Sequence, residues 1–395
     1  MKSRRNILVV LAVLWVIGTV QAGWGEQSAT VMDWGIAKAV ADKMGEGFLE
    51  GTDIELTLDN DIQKHVEQIL DEAMTNFHSQ AAWAIVEEVR TGAILAMASL
   101  PKSNPPPATG TVFEPGSIFK VGVVAAALNE GLISTNDQFD CENGLWSYEG
   151  KPLRDFHPYG VLDVTGILRK SSNIGAAKIA LKLGEEPLSR YLTAFGFGKP
   201  TGIEIPGEES GLLRPLSEWG KADITRVAMG HAVAVTALQM LNVLCCIGND
   251  GSLMKPHLLR KVVGKDGVAL LENNPEVIAQ PISAATAKLM RNMLVAVTRE
   301  GGTGTRAAIK GFNVAGKTGT AEKIKDGRYM ANQNIVSFMG VLPAERPEIG
   351  IIVVLDDPQP LATGSMSAAP VFAQIAESAM RHLDIRLVDS SLTGE

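Results

Sequence analysis

The sequence predicts a mixed α+β domain whose sheet takes strands from both ends of the chain. Three observations predict it. Short apolar, strand-like runs cluster before residue 100, helical patterns fill the middle, and strand-like runs return from Phe312 onward. With 395 residues, 46% of them hydrophobic and 20% charged, the chain can bury a large core.

Taken in order, residues 54–58 read as the first strand. Asp59 caps a following helix that places Ile62, Val66, Ile69, Ala73 and Phe77 on one face. A hairpin comes next, with strands at 82–89 and 93–98 around a turn at Thr91-Gly92. Residues 101–107 are a proline-rich break, and Gly116 opens a long apolar helix that Gly131 ends. Two further helices flank Ser171, and Gly184 closes the second. Residues 195–218, rich in Gly and Pro, read as loops. Residues 236–247 and 284–298 read as buried helices, with Met290 and Met293 as core filling. Strands follow at 312–320, 334–342 and 349–355, and a helix at 369–383 closes the domain. No internal repeat interrupts this order.

Charge and cysteine content exclude several classes. A net charge of −8 without a Lys/Arg cluster argues against nucleic acid. The six histidines lack metal-ligand spacing, so neither a metal nor another cofactor is expected. Cys245 and Cys246 are adjacent, a spacing that strains a disulfide, and sit in an apolar run; Cys141 has no evident partner. At the N-terminus, Lys2, Arg4 and Arg5 precede an apolar run at 7–20, and no charge occurs from 6 to 25. That pattern fits a cleaved signal peptide or a retained membrane anchor, and both place the remainder outside the cytoplasm.

Three short patterns carry chemistry. Ser-x-x-Lys occurs at Ser99/Lys102, Ser117/Lys120 and Ser252/Lys255. A serine nucleophile needs its base one turn away on the same helix face. Pro101 lies inside the first match and Pro256 follows the third, which disfavours helix at both. Only Ser117 opens an uninterrupted apolar run, at 118–128, where a helix N-terminus favours developing negative charge. Ser-x-Asn occurs at Ser134/Asn136, where it reads as a turn after Gly131, and at Ser171/Asn173, where a short loop between helices could aim both side chains into a cleft. Lys317-Thr318-Gly319 occurs once, in an expected strand, where Gly319 leaves room for a substrate backbone. Gly302-Thr303-Gly304 imitates a dinucleotide loop but follows a helix, the wrong context. His231 reads as a cleft residue or a structural histidine.

Together these motifs resemble the set of penicillin-binding proteins and class A β-lactamases. The wider context is similar to the transpeptidase domain of class B penicillin-binding proteins, used in division and elongation, over roughly residues 52–385. It includes Phe113-Glu114-Pro115-Gly116, Lys170-Ser171-Ser172-Asn173, Val235-Thr236-Ala237-Leu238-Gln239-Met240 and Gly316-Lys317-Thr318-Gly319-Thr320-Ala321. The resemblance implies an antiparallel sheet built by both chain ends, an all-helical subdomain, and an active site between them. It implies a division into signal or anchor (1–25), linker (26–51), transpeptidase domain (52–385) and tail (386–395).

The resemblance also implies roles. Ser117 attacks the penultimate D-alanine carbonyl with Lys120 as base, Ser171 relays a proton to the departing D-alanine, and Asn173 holds the donor amide. Lys317 supplies positive potential, Thr318 and Thr320 bind the terminal carboxylate beside Gly319, and the oxyanion sits between the N–H groups of Ser117 and Thr320. Two close cations cannot both stay charged easily, so neutral Lys120 and charged Lys317 are expected. The implied partners are peptidoglycan stem peptides, β-lactams, the inner membrane through the N-terminal segment, and a lipid-linked glycan polymerase. The implied location is the extracytoplasmic face of the bacterial envelope.

This sequence departs from the family pattern in its short stretch before the domain, where relatives carry a pedestal, in the short segment before Phe113, and in Ala232, where a second glycine is common. The pedestal's absence bears on partner docking more than on chemistry. A D,D-carboxypeptidase or serine β-lactamase shares the acylation step, but no motif supplies the water-activating glutamate of a class A β-lactamase, and the long interval from Ser171 to Lys317 suits the class B proteins better. A β-lactam sensor or inactive scaffold is the remaining reading; sensors usually carry several membrane spans, and no catalytic position is missing here.

Overall fold

A computed structural model describes residues 53–103, 105–325, 328–360 and 363–386. The expected signal or anchor, the linker and nearly all of the tail lie outside these residues. No helix among the described residues is long and apolar enough to cross a membrane.

The main sheet has five antiparallel strands: β1 (Ala81–Glu88), β2 (Ile94–Leu100), β3 (Ala315–Lys325), β4 (Arg328–Leu342) and β5 (Ile349–Asp356). Their order is β3-β4-β5-β1-β2, so the early hairpin pairs with the last strand, Ala81 opposite Asp356 and Glu88 opposite Ile349. Both faces are covered, which explains strands that read as nearly continuous apolar runs. Alternation still sorts their side chains. Ala82, Ala84, Val86, Ile351 and Val353 face one core, whereas Trp83, Ile85, Ile352 and Val354 face the other.

The first core is closed by α1 (Asn60–Phe77) and by the C-terminal helix. Asp59 caps α1 by accepting from the backbone N–H groups of Asp61 and Ile62. Its buried stripe is Ile62, Val66, Leu70 and Ala73; Ile69 and Phe77, expected on that face, are only partly buried. The second core holds the helical part of the chain: α2 (Lys120–Asn129), α3 (Val164–Lys170), α4 (Asn173–Leu183), α5 (Glu185–Ala194), α6 (Asp223–Ala228), α7 (Ala237–Gly248) and α8 (Ala284–Thr298). Every residue of α7 is buried, and a reciprocal Thr236–Gln239 capping box fixes its start. The closing helix is α9 (Ala368–His382).

Several expectations changed. The first strand, Asp53–Leu56, joins a separate small sheet with Leu259–Val263 rather than the main one. The β3–β4 hairpin extends well beyond both expected strands, while residues 312–314 stay outside it. Short strands between Gln138 and Asp163 had no clear sequence signal because they are three or four residues long and half exposed.

Candidate active site

The site lies where the sheet's β3 edge meets the helical part. The first turn after Gly116 is a 3₁₀ turn, Gly116–Phe119, rather than the expected start of α-helix. Side chains three apart eclipse in such a turn, and this sets Lys120 back over Ser117. Gly116 has φ +54°, and a Cβ there would lie 2.6 Å from the Thr320 carbonyl oxygen, so a side chain would push the Ser117 turn off β3.

Lys120 is 0% exposed, as is Lys317. The Lys120 Nζ lies 2.9 Å from Ser117 Oγ, 2.7 Å from the Ser171 carbonyl oxygen, 2.6 Å from Asn173 Oδ1 and 3.4 Å from Ser171 Oγ. A neutral amine has two hydrogens and one lone pair. Given to the carbonyl oxygens of Ser171 and Asn173, the hydrogens leave the lone pair for the Ser117 hydroxyl. Burial pushes Lys120 down to about 7, against the opposing pull of Asp155.

Lys317 donates to Ser171 Oγ at 2.8 Å and to the Thr318 carbonyl at 3.2 Å. Burial first, and the charge of Lys120 second, push Lys317 well below the ordinary lysine range. Burial thus acts on both lysines, where neutral Lys120 beside charged Lys317 was the expectation. Among the described residues Lys317 makes no ion pair with a carboxylate. Burial shifts both lysines the same way, so the pocket disfavours their being charged together.

Ser171 ends α3 in the left-handed region, φ +61°, and Ser172 caps α4, so both side chains are set by one tight corner. Asp155, missed by the sequence reading, holds that corner. Its carboxylate accepts from Ser172 Oγ at 2.6 Å, from the Ile174 N–H at 3.1 Å and from the Asn173 N–H. Asn173 Nδ2 in turn donates to the Arg154 carbonyl at 2.8 Å. Nothing in the local pattern marks Asp155, because it follows the short strand Lys151–Arg154 and its partners lie at the start of α4.

On β3, Thr318 is buried and its Oγ1 lies 2.9 Å from Thr303 Oγ1. The Thr320 hydroxyl is turned to the backbone, donating to the Gly319 carbonyl and accepting from the Gly364 N–H. The room left by Gly319 is filled by the chain itself: a Cβ there would stand 2.2 Å from Ser337 Oγ and 3.2 Å from the Pro115 carbonyl oxygen. The glycine therefore also serves internal packing.

Glu114, part of the Phe113–Gly116 run but given no role by the sequence, ties three segments at the site's rim. It accepts from the Ala232 N–H at 2.8 Å and the Tyr329 hydroxyl at 3.0 Å, and faces His231 Nδ1 at 2.7 Å. Burial works to raise its pKa, but these bonds outweigh it and hold the carboxyl below the usual range. His231 thus has a structural partner beside the cleft.

The rejected motif copies lie elsewhere. Ser99 is in β2 and Lys102 pairs with Glu67; Ser134 bonds Asp137 in a turn; Ser252 bonds Gln280. Cys141, Cys245 and Cys246 are buried and free. Among the described residues, Asp59, Asp61 and His382 could offer ligand atoms to a cation within 4.8 Å of one another, but they already contact one another, and Asp59 caps α1.

A family model described as the penicillin binding protein transpeptidase domain matches residues 82–377. The chain is 32% identical over 364 residues to penicillin-binding protein PbpB of Mycolicibacterium smegmatis, covering 86% of this chain and 56% of that protein. It is 33% identical over 355 residues to peptidoglycan D,D-transpeptidase FtsI of Escherichia coli, covering 86% and 58%. The chain thus spans a little over half the length of these relatives. Penicillin-binding protein 3 of Mycobacterium tuberculosis, solved with ampicillin, superposes with a TM-score of 0.79 at 33% identity, covering 86% of this chain and 80% of that one.

Proposed function

Because this chain belongs to the penicillin-binding protein transpeptidase family, we propose that it is a peptidoglycan D,D-transpeptidase working through an ester on Ser117. The observation that carries the reading is a fully buried Lys120, pushed down to about 7, with its Nζ 2.9 Å from the Ser117 hydroxyl. A lysine in this state is both close enough and basic enough to act at neutral pH.

The donor stem peptide adds along β3, the edge strand of the sheet, with its terminal carboxylate at Thr318 and Lys317 and its amide at Asn173. Lys120 takes the Ser117 proton as Oγ attacks the penultimate D-alanine carbonyl. The oxyanion forms between the N–H groups of Ser117 and Thr320. The Ser171 hydroxyl, in contact with both lysines, passes a proton to the departing D-alanine nitrogen, and the C–N bond breaks to leave the acyl ester. An acceptor amine then attacks the ester and restores Ser117. The incoming carboxylate gives Lys317 the anionic partner it otherwise lacks, so substrate binding itself favours the charged form. β-Lactams enter by the same attack and remain as esters.

The domain spans residues 52–385 and works outside the cytoplasm. Residues 1–25 direct export as signal or anchor, 26–51 link that segment to the domain, and a lipid-linked glycan polymerase supplies the strands. Labelling with fluorescent penicillin, alongside a stem-peptide crosslinking assay, tests the reading. Wild type should label and crosslink, and Ser117→Ala should do neither. Equal labelling of the two proteins would overturn it; D-alanine release without crosslinks would assign a carboxypeptidase, and rapid drug turnover a β-lactamase.

A further inference from the structure

The Gly-Thr-Gly run set aside as a failed dinucleotide motif lies against the site. It forms the loop between α8 and β3, and it is pinned on several sides. The Gly302 N–H donates to the Arg299 carbonyl at 2.9 Å and the Gly304 N–H to the Val297 carbonyl at 2.9 Å. From the end of α3, Arg169 donates to the Glu300 carbonyl and Lys170 donates to the Gly301 carbonyl at 2.9 Å. The Thr303 N–H donates to the Arg169 carbonyl at 3.2 Å.

Three of the four residues from Gly301 to Gly304 have no space for a side chain. An added Cβ would fall 2.5 Å from Arg169 Nη2 at Gly301, 2.1 Å from the Val297 carbonyl oxygen at Gly302 and 2.8 Å from Phe338 Cε2 at Gly304. Thr303 is the one residue of the run with a side chain, and its Oγ1 stands 2.9 Å from Thr318 Oγ1. The loop is thereby anchored to the two residues preceding Ser171 and delivers a single hydroxyl to the lysine strand.

We propose that Thr303 is a positioning residue for the substrate carboxylate, acting through the hydroxyl of Thr318; this role rests on the transpeptidase reading. A hydroxyl has one hydrogen to give. When a carboxylate takes the hydrogen of Thr318, the bond between the threonines must run from Thr303 to Thr318. The chain Thr303 O–H to Thr318 O–H to carboxylate is then continuous, and each link polarises the next. The bond also fixes the Thr318 rotamer before substrate arrives, so less freedom is lost on binding.

The test compares acylation of the full chain by penicillin G with acylation by its methyl ester, which lacks the anionic carboxylate. Rates are normalised to the fraction of molecules that label at saturation, so loss of folded protein does not imitate the effect. Thr303→Val should slow penicillin G by about 10-fold, the scale of one hydrogen bond relayed to a charged group, and leave the ester rate unchanged. Thr303→Ser should restore the penicillin G rate, and Thr303→Ala should behave as Val does. Equal slowing of both probes in Val and Ala, or no slowing of either, would overturn the role. Wild type labelling no better than Ser117→Ala would instead overturn the functional reading beneath it.

Discussion

Ser171 Oγ lies between the two buried lysines, 2.8 Å from Lys317 Nζ and 3.4 Å from Lys120 Nζ. One hydroxyl thus touches the proposed base and the second cation at once. A proton can enter or leave this pair without a large movement of any side chain.

The acylation rate should therefore rise with pH. Lys120 acts as base only when neutral, and its neutral form grows as pH passes upward through about 7. Second-order rates of penicillin acylation, measured from about pH 5.5 to 8.5, should climb and level off. Lys120→Arg should remove at least about 100-fold of the rate. A flat profile across that range would place the working base elsewhere.

Asp155→Asn offers a separate readout. The carboxylate accepts from Ser172 and from two backbone N–H groups, and its charge works to raise the pKa of Lys120. The amide keeps the shape but loses charge and one acceptor. Acylation at pH 7 should slow by about 10-fold, the scale of a lost charge-assisted bond at the corner carrying Asn173. The midpoint of the pH–rate profile should move to lower pH, because the opposing pull on Lys120 has gone. A midpoint that stays or rises would contradict this electrostatic account.

Gly319→Ala should destabilise the domain through contact with Ser337 Oγ, 2.2 Å from the added carbon. The expected cost is about 1–3 kcal/mol by urea denaturation, the usual range for overpacking. Ser337→Ala removes the obstructing atom, so the double variant should recover part of the loss. Purely additive effects in that cycle would mean that the clash with Ser337 is not the cause.

Glu87 on β1 should make stability depend on pH. It is fully buried, and desolvation raises it to about 8, opposed by its contact with the Cys245 thiol. Asn242, with its amide turned to donate, reaches its Oε2 at 3.2 Å. A carboxyl raised above its unfolded value of 4.5 keeps its proton longer in the native state, so its contribution to stability falls between pH 4.5 and about 8. Glu87→Gln should flatten that decline, which has a limiting slope of about 1.4 kcal/mol per pH unit. Identical pH dependence in both proteins would show that Glu87 does not titrate there.

The residues legible in the sequence were those whose local setting carries a period or a cap. Ser117 separated from its two rivals because proline spoils the helix at Ser99 and Ser252, and α8 matched its sequence limits because Ser283 caps a long periodic stretch. Asp155, Glu114 and Thr303 were not legible as site residues. Each works through partners far along the chain, and neither helical nor strand periodicity encodes such a meeting. The burial of Lys317 was not legible for another reason. Sequence gives the proximity of two lysines but not the depth at which both are buried.

The pairing of β5 with β1 also orders events as the chain is made. The hairpin of β1 and β2 emerges early, but the strand that joins it to β4 arrives only after nearly the whole domain has been synthesised. Until then β3 is paired with β4 alone, and that hairpin is not joined to the early one. Assembly is consequently a late, non-local step, of the kind that makes folding slow. A nascent chain ending before Ile349 carries its serine and first lysine but lacks the frame that brings them to the second.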